Sequence, residues 1–247
     1  MKNNMTILRL LSSTIILGFM LSGCNDSNIL DTFSHHDAQD KQQVEKKSRQ
    51  ENQIIAKQLI LTNLQQLIQD KTTPFIGPVD AKVNVIEFFD YQCMYCSKLA
   101  GPLKQIESKY NNVKFLFKET PILAYRWKAS KYAADIGNWI YQQKGSSAYI
   151  KYHDSIFASG LDEGKLTKDD VNKIATNVGV NVSKFTSNNT AANNFELFKK
   201  LGLHGTPALI VIPSKNVTTN NIHIINDGNT NALINAINKL QHSTADK

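Results

Sequence analysis

The sequence predicts an α/β domain with an inserted helical segment, preceded by an amphipathic helix near the N-terminus. Short apolar runs that are typical of buried strands lie on both sides of a long stretch, about 124–202, that has no strand signals. Apolar residues three and four positions apart precede the first of these runs, which indicates a helix. At 41% hydrophobic residues, the chain can bury a sizeable core.

The first 23 residues have the pattern of an export signal. Lys2 and Arg9 supply a short positive region, and the apolar run that follows is too short to span a bilayer comfortably. The run ends in the tetrapeptide LSGC, which resembles a bacterial lipobox, so Cys24 is expected to carry lipid and to become the first mature residue. An ordinary signal peptide, with Cys24 left as a spare thiol, is the alternative. Asn25 rather than Asp after the cysteine favours the outer membrane.

Export places the chain in the bacterial cell envelope, on the periplasmic side, where disulfides persist. Apart from Cys24, the chain has only two cysteines, Cys93 and Cys96. One pair cannot form a disulfide scaffold, and a bridge between residues so close in sequence closes almost no loop. A purely structural role is therefore a poor explanation of the pair.

The formal net charge is +7, but the basic residues are scattered and form no stripe interleaved with aromatic residues. No nucleic-acid interface is therefore predicted. Residues 24–43 are polar with few apolar anchors, and we expect them to be a flexible tether between the lipid and the folded body.

Residues 44–71 are predicted to form an amphipathic helix without Gly or Pro. Ile54, Leu61 and Ile68 are seven residues apart, which is a partial heptad seam and short for a stable coiled coil. The helix either packs on its own domain or pairs with the same helix of a second chain, which would make a homodimer. Both options stay open from the sequence.

The predicted strand KVNVIEFF, residues 82–89, is followed by a helix that starts near Cys93. Pro102 lies two to three turns into this helix and is expected to kink it. A second strand is predicted at 113–119, the segments TPALIVI and NIHIIND are the third and fourth strands, and NTNALINAINKL is the closing helix.

The spacing C-x-x-C at a helix N-terminus suits a dithiol that exchanges electrons. The unpaired N–H groups and the helix dipole stabilise a thiolate on the first cysteine, and the second cysteine lies one turn inside, within reach of the first. Cys93 is therefore the predicted attacking thiol and Cys96 the resolving thiol.

Two other roles for the pair are weaker. A structural zinc site needs four ligands, and no second cysteine pair or nearby histidine pair completes one. Two inert buried thiols rarely occur in this spacing after a strand. The sequence therefore predicts neither a metal nor another cofactor, although a metal-binding or non-catalytic surface lipoprotein remains the alternative function.

The segment HGTPALIVI places Thr206 and Pro207 at the entry of a predicted strand. Proline is tolerated at the start of a strand, so an ordinary turn explains it. A cis-proline loop that faces the dithiol is the functional interpretation, and residue patterns alone do not separate the two.

The order of these elements resembles the thioredoxin fold with a helical insertion, as in the DsbA family of bacterial disulfide oxidoreductases. The segment VIEFFDYQCMYC is similar to the active-site block of that family, and GTPALIV is similar to its cis-proline block. The resemblance covers residues 75–241, with the helical insertion at about 121–202.

This resemblance implies that Cys93 and Cys96 are the redox pair and that Pro207 is the cis-proline that cradles substrate. Glu87, six residues before Cys93, matches a buried acidic residue that is thought to carry a proton to the inner cysteine. A surface carboxylate at a strand end is the alternative for Glu87, although its apolar neighbours favour burial.

Two departures from the family pattern concern residues that are expected to bind substrate. Met94 and Tyr95 replace the Pro-His pair of strongly oxidising members, and the absence of His at Tyr95 should make this pair less oxidising. Thr206 rather than Val precedes Pro207, as in isomerases of this kind and in several oxidase-like relatives. Oxidase, isomerase and reductase activities therefore all stay open.

The expected function is thiol–disulfide exchange on exported proteins, as oxidase, isomerase or both. The expected partners are thiol-containing exported substrates and a membrane redox partner that re-oxidises or reduces the dithiol.

Overall fold

The computed structural model describes the backbone of residues 29–243 and the side chains of residues 43–243. The predicted signal peptide and the lipidation site Cys24 lie outside the described residues. From Ser48 onward the chain forms one unit, and the described residues before Ser48 belong to a separate unit. Within residues 29–243, none of the helices combines the length and apolar character that a membrane span requires.

The described part of the chain contains seven α-helices and five strands. The helices are α1 (Ile29–Thr62), α2 (Leu64–Ile68), α3 (Met94–Lys109), α4 (Lys128–Ala158), α5 (Lys168–Asn177), α6 (Thr190–Lys200) and α7 (Thr230–Ser243). The strands are β1 (Phe75–Ile76), β2 (Val83–Phe89), β3 (Lys114–Glu119), β4 (Ala208–Pro213) and β5 (His223–Ile225).

The five strands form one mixed sheet in the order β1-β3-β2-β4-β5. Strand β2 pairs in parallel with β3 through the crossover helix α3, and it pairs antiparallel with β4. All seven residues of β2 are buried, because helices cover both faces of the sheet. This two-sided burial explains why β2 is a continuous apolar run rather than an alternating one.

The sheet separates two apolar cores. Val85 and Phe89 point into the larger core, which is completed by residues of α3, α4, α5 and α7. Ile86 and Phe88, at the alternate positions of the same strand, point into the second core with residues of α1, α2 and α6. The helical insertion between β3 and β4 therefore contributes helices to both faces of the sheet.

The C-terminal part of α1 and the short helix α2 pack on the second core. Ile60 and Leu67 are buried there, whereas Ile54 and Ile55 are 55% and 52% exposed. Of the two options for this helix, docking on its own domain is thus observed for its C-terminal part, while part of the apolar stripe stays uncovered.

Helix α1 begins at Ile29 rather than near Val44. Residues 29–43, which were expected to belong to a flexible tether, are helical, and no Gly or Pro interrupts them. At the other end, Asn63 separates α1 from α2, and its side-chain amide donates a hydrogen bond to the Leu59 carbonyl at 2.7 Å.

Two helices have irregular features. Helix α3 runs from Met94 to Lys109 with Pro102 inside it. Helix α4 is kinked at Gly145, where a φ of 74° places the backbone in a region that favours glycine. The kink divides the long helix into two segments.

A buried lysine joins β3 to the segment after α2. The ammonium of Lys118 is fully buried and donates hydrogen bonds to the Gln66 carbonyl at 2.9 Å, to Asp70 at 3.2 Å and to the Thr73 hydroxyl at 2.6 Å. Burial lowers the pKa of Lys118, and the Asp70 carboxylate opposes this by raising it. The contacts of Lys118 thus fix the chain between α2 and β1 against the sheet.

Candidate active site

The two cysteines lie where β2 ends and α3 begins. Cys93 is the N-cap of α3 in an extended conformation, and Cys96 lies in the first helical turn. Both are free thiols, with 6% of Cys93 and 1% of Cys96 exposed. The first thiol therefore meets the unpaired N–H groups of the helix, and the second is shielded behind it.

The pKa of Cys93 is lowered from 9.0 to about 6. The largest cause is a hydrogen bond from the Cys96 thiol, and the backbone N–H groups of Cys96 and Tyr95 also lower the pKa, while burial acts in the opposite direction. Each of these donors stabilises a negative charge on sulfur. Near neutral pH, Cys93 is therefore mainly a thiolate.

Cys96 has the opposite electrostatic environment. Burial raises its pKa well above the ordinary value, and its hydrogen bond to Cys93, the charge of Cys93 and the charge of Glu87 raise it further. Cys96 is therefore a thiol at neutral pH and needs a base before it can act as a nucleophile.

The loop before β4 lies against Cys93. In its protonated form, the Cys93 thiol donates a hydrogen bond to the Thr206 carbonyl at 3.2 Å, and the Thr206–Pro207 peptide bond is cis. Thr206 and Pro207 are both buried beside the first cysteine. The structure thus brings together the two segments that the sequence pattern associated with substrate binding.

Glu87 lies on β2 and is buried, as its apolar neighbours indicated. Burial raises its pKa well above the usual range of a carboxyl group, and the charges of Glu107, Glu119 and Cys93 add to this effect. One of its carboxyl oxygens has no hydrogen-bond partner in the described part of the chain. Burial therefore favours the protonated form of Glu87, and the charge of Glu87 acts on the nearby Cys96.

The two residues between the cysteines differ in exposure. Tyr95 is 64% exposed, whereas Met94 is only partly exposed. The ammonium of Lys98 lies 5.6 Å from the centre of the Tyr95 ring. An exposed aromatic ring next to the attacking thiol offers an apolar contact to a polypeptide.

Asp90 organises the active-site loop, a role that the sequence analysis did not identify. Its buried carboxyl group accepts hydrogen bonds at 2.8 Å from the Gln92 and Leu123 N–H groups and from the Ser130 hydroxyl. Burial raises the pKa of Asp90, and these hydrogen bonds oppose the rise. The loop before Cys93 is thereby tied to the start of the helical insertion.

Gln92, which the sequence analysis also did not identify, ties the same loop to the segment that follows α4. Its amide donates to the Leu166 carbonyl at 3.0 Å and accepts from the Gly164 N–H at 2.7 Å. Its own carbonyl accepts from the Glu163 N–H at 3.0 Å. The only sequence signal for Asp90 and Gln92 is that both are polar and lie within three residues before the first cysteine.

Among the side chains that the structure describes, no group of three or more His, Cys, Asp or Glu residues is arranged to hold a metal ion. Cys93 and Cys96 together form a dithiol, which can exchange electrons with another disulfide. A stabilised thiolate, a shielded second thiol and a buried carboxyl group are the parts that thiol–disulfide exchange uses.

Comparison with known proteins agrees with this arrangement. A family model described as thioredoxin matches residues 69–222, which include both cysteines and the cis-proline loop. The chain belongs to the thioredoxin family. No curated protein matches the sequence.

Solved structures of this thioredoxin group resemble the chain over most of its length. BcfH of Salmonella enterica Typhimurium is 27% identical with a TM-score of 0.77, and the match covers 85% of this chain and 91% of BcfH. The thiol–disulfide exchange protein alpha-DsbA2 of Wolbachia pipientis is 25% identical with a TM-score of 0.56, over 64% of this chain and 86% of that protein. The catalytic domain of Proteus mirabilis ScsC is 23% identical with a TM-score of 0.61, over 74% of this chain and 97% of that domain, and supports the fold alone.

These comparisons confirm the predicted fold class, a thioredoxin-like α/β fold with an inserted helical segment and an N-terminal helix. They also confirm the resemblance to the DsbA family of thioredoxin-like proteins.

Proposed function

We propose that this protein is a thiol–disulfide oxidoreductase that acts on exported proteins through Cys93 and Cys96. The observation that carries the proposal is the opposite behaviour of the two thiols. The pKa of Cys93 is lowered to about 6 at the helix N-terminus, whereas the pKa of Cys96, one turn inside, is raised by burial. Inert buried cysteines have no reason to differ in this way.

In the oxidising direction, a client thiolate attacks the Cys93 sulfur of the Cys93–Cys96 disulfide. The bond between the two cysteines breaks, and Cys96 leaves as a thiolate that takes up a proton. A second client thiolate then attacks the client sulfur of the mixed disulfide, so that Cys93 leaves as a thiolate and the client keeps the new disulfide. The two electrons from the client remain on the reduced dithiol until a membrane redox partner removes them.

Substrate contacts are assigned to Thr206, Pro207, Met94 and Tyr95. The Thr206 carbonyl is already within hydrogen-bond distance of Cys93, so a client chain that pairs with this loop would bring its sulfur close to the thiol. The exposed Tyr95 ring would contact apolar side chains of an unfolded client. Backbone pairing combined with one apolar contact suits clients of varied sequence.

The stabilised thiolate favours the oxidase role. A low pKa at Cys93 stabilises the reduced form of the dithiol, which makes the disulfide form a better electron acceptor. The partly uncovered stripe of α1, which would allow pairing of two chains, favours the isomerase role, whereas Thr206 before Pro207 fits either role. We therefore keep both activities in the proposal.

The functional experiment compares oxidative refolding of a reduced ribonuclease with reshuffling of a scrambled one. Wild type should accelerate at least one of the two, and Cys93→Ser should abolish that acceleration. Ser97→Ala, which removes a hydroxyl next to the pair but leaves both thiols, is the matched control and should stay active. Wild type that accelerates neither reaction, or that binds zinc stoichiometrically through the two thiols, would overturn the proposal in favour of a non-catalytic module.

The proposal includes a lipid anchor at Cys24 that holds the protein in the cell envelope, with the outer membrane favoured. Cells that express the protein should incorporate labelled palmitate into it, and Cys24→Ala should remove the label. A wild-type protein that stays soluble and unlabelled in the periplasm would contradict the anchor without affecting the proposed chemistry.

A further inference from the structure

A small cavity lies between the C-terminal part of α1, the edge strand β5 and helix α7. Its volume is about 320 Å³, at the lower end of the range of roughly 300–1,000 Å³ that is usual for small-molecule sites. The polar side chains of its wall are three bases and two carboxamides, namely Lys57, His223, Lys239, Gln53 and Asn235. None of the described residues that line the cavity is Asp or Glu, and none belongs to the dithiol site.

The two lysines of the cavity act on the same histidine from different helices. Burial lowers the pKa of His223, and the charges of Lys239 on α7 and Lys57 on α1 lower it further. No carboxyl group in the described part of the chain raises it. Because charges near the surface act over roughly 10 Å or less in salt, the three bases lie close together. Positive charge thus converges on the cavity without a balancing negative group.

None of these bases has a partner within the described part of the chain. Other lysines stand beside a carboxylate, as Lys104 does beside Asp154 at 2.7 Å, but neither Lys57 nor Lys239 forms such a pair with a described residue. The Nε2 atom of His223 is buried and has no hydrogen-bond partner among the described residues. Buried polar atoms are seldom left in this state, so a ligand in the cavity is the partner that this group of bases lacks.

The charge and the shape of the wall indicate which anion fits. Near pH 7 the two lysines carry one positive charge each, and His223 is mainly neutral because its pKa is lowered. A phosphate monoester carries about −1.5 to −2 at this pH, so it balances both lysines, whereas a phosphodiester or a carboxylate balances only one. The donors come from three elements around the cavity, which suits a tetrahedral group better than a planar carboxylate, and lysine is a common ligand of phosphate.

We propose that this cavity binds a dianionic phosphate group, either inorganic phosphate or a phosphate monoester, between Lys57 and Lys239. The two ammonium groups contact the phosphate oxygens from α1 and α7, and His223 and the two carboxamides donate further hydrogen bonds. A bound phosphate therefore joins α1 to α7 and stabilises the docked position of α1. The site is separate from the dithiol, and the proposal does not depend on the exchange activity.

The test measures binding of three phosphate compounds to the purified protein by isothermal titration calorimetry at neutral pH in chloride buffer. Inorganic phosphate and glycerol 3-phosphate should both bind, because each presents a dianionic group. Dimethyl phosphate is a diester with a single charge, and it should bind at least about tenfold more weakly, since one of the two lysines is left without a countercharge. Equal affinity for the diester and the monoester would contradict a site for a dianion.

Two variants place the binding in this cavity. Lys57→Met together with Lys239→Met removes both charges but keeps long side chains, and it should weaken phosphate binding by about a hundredfold or more. Lys71→Met together with Lys151→Met, the same change at two exposed lysines elsewhere, is the matched control and should bind as wild type does. Asn235→Asp keeps both lysines and adds a carboxylate to the wall of the cavity. It should also abolish binding, so the test stands even if the variant without the two lysines fails to fold.

A phosphate monoester on a lipid has the same chemistry, and sedimentation with vesicles separates the two sources. The Cys24→Ala protein, which carries no lipid of its own, is mixed with phosphatidylcholine vesicles that contain phosphatidic acid. Sedimentation that free glycerol 3-phosphate reverses assigns the phosphate to a lipid, whereas binding of the free ester without sedimentation assigns it to a soluble ligand. No binding in either experiment would overturn the proposal. Binding that Lys57→Met/Lys239→Met and Asn235→Asp both retain at the strength of wild type would do so as well.

Discussion

At the scale of single residues, the reactivity of the site comes from how each sulfur is solvated. Cys93 and Cys96 have the same chemistry in an unfolded chain, but hydrogen-bond donors converge on the first sulfur and apolar burial surrounds the second. Because the effects are local, each can be tested by changing or titrating one thiol at a time.

The first prediction is a split in alkylation rate. In the reduced protein, Cys93 should react with iodoacetamide with a midpoint near pH 6, whereas Cys96 should hardly react below pH 8, because only the outer thiol is stabilised as a thiolate. Mass spectrometry of the labelled peptides measures both rates in one sample. Cys93→Ser is the control for the intrinsic rate of Cys96. Equal rates for the two thiols at pH 6 would contradict an active dithiol.

The second prediction links the charge of Cys93 to stability. Its pKa falls from 9.0 in an unfolded chain to about 6, so the stabilisation is fully present above pH 9 and is lost as the pH falls through 6. The shift corresponds to about 4 kcal/mol. Urea unfolding of the reduced wild type and of Cys93→Ser should differ increasingly between pH 6 and pH 9.

The difference in unfolding free energy between wild type and Cys93→Ser removes the contributions of titratable groups that both proteins share. Among them is Glu119, whose raised pKa makes its contribution fall as the pH rises towards 7. A stability difference that stays constant from pH 6 to pH 9 would show that the Cys93 thiolate is not stabilised in the folded state.

Residue patterns could identify only part of the site. The spacing of Cys93 and Cys96 and their place after a strand can be read along the chain, and so can the apolar neighbours of Glu87. The roles of Asp90 and Gln92 depend on hydrogen bonds to residues that are distant in sequence, such as Leu123 and Leu166. No local pattern predicts such contacts.

At the scale of elements, helices and loops are held by a few buried polar groups in addition to apolar packing. Asp90 and Gln92 connect the start of α3 to the segments that precede and follow the first inserted helix, α4, so the inserted segment supports the dithiol directly. On the other face, Lys118 joins β3 to the segment after α2. Satisfied buried groups of this kind specify one arrangement of the elements.

The third prediction concerns the Lys118 contacts. Asp70→Asn removes the carboxylate that is ion-paired with the buried ammonium and should destabilise the protein by about 3 kcal/mol. Adding Lys118→Met should recover most of this loss, because an apolar side chain of similar length fills the same space. Urea unfolding at pH 7 measures both changes.

The matched control is Asp154→Asn, because Asp154 pairs with Lys104 at 2.7 Å where the lysine is largely exposed. Exposed pairs contribute about 1 kcal/mol or less. If Asp70→Asn costs no more than Asp154→Asn, the buried lysine does not depend on its carboxylate partner.

At the scale of the whole molecule, residue patterns predicted four of the five strands in their order, but they missed β1 and did not predict the limits of the elements. The apolar run of β2 and the helical period before it are visible in the sequence because burial imposes them. The start of α1 at Ile29 was not predicted, because polar residues without Gly or Pro suit a helix and a tether equally well. Docking of Ile60 and Leu67 depends on the shape of the second core, which the sequence does not display.

The fourth prediction concerns self-association. A chain that begins at Lys41 should be a dimer, because Ile54 and Ile55 leave part of the apolar stripe uncovered. Ile54→Gln together with Ile55→Gln should give a monomer with less isomerase activity and unchanged stability, since Ile60 and Leu67 stay docked. Light scattering measures the mass of both proteins.

Val79→Gln, which replaces an exposed apolar residue elsewhere, is the control for a general loss of surface hydrophobicity. If the chain that begins at Lys41 is monomeric at high micromolar concentration, the paired arrangement is wrong. Oxidase or reductase activity by a single site would then be the better proposal.

The most direct test of the central claim is to trap the exchange intermediate on a client protein. Cys96→Ser retains the attacking thiol but cannot resolve a mixed disulfide, so the purified variant should form a covalent adduct with a disulfide-containing client that reducing agent releases. Peptide mapping should place the linkage at Cys93, and the Cys93→Ser/Cys96→Ser double variant should form none. A Cys96→Ser protein that forms no adduct, while its Cys93 remains free and the protein folded, would contradict thiol–disulfide exchange at this site.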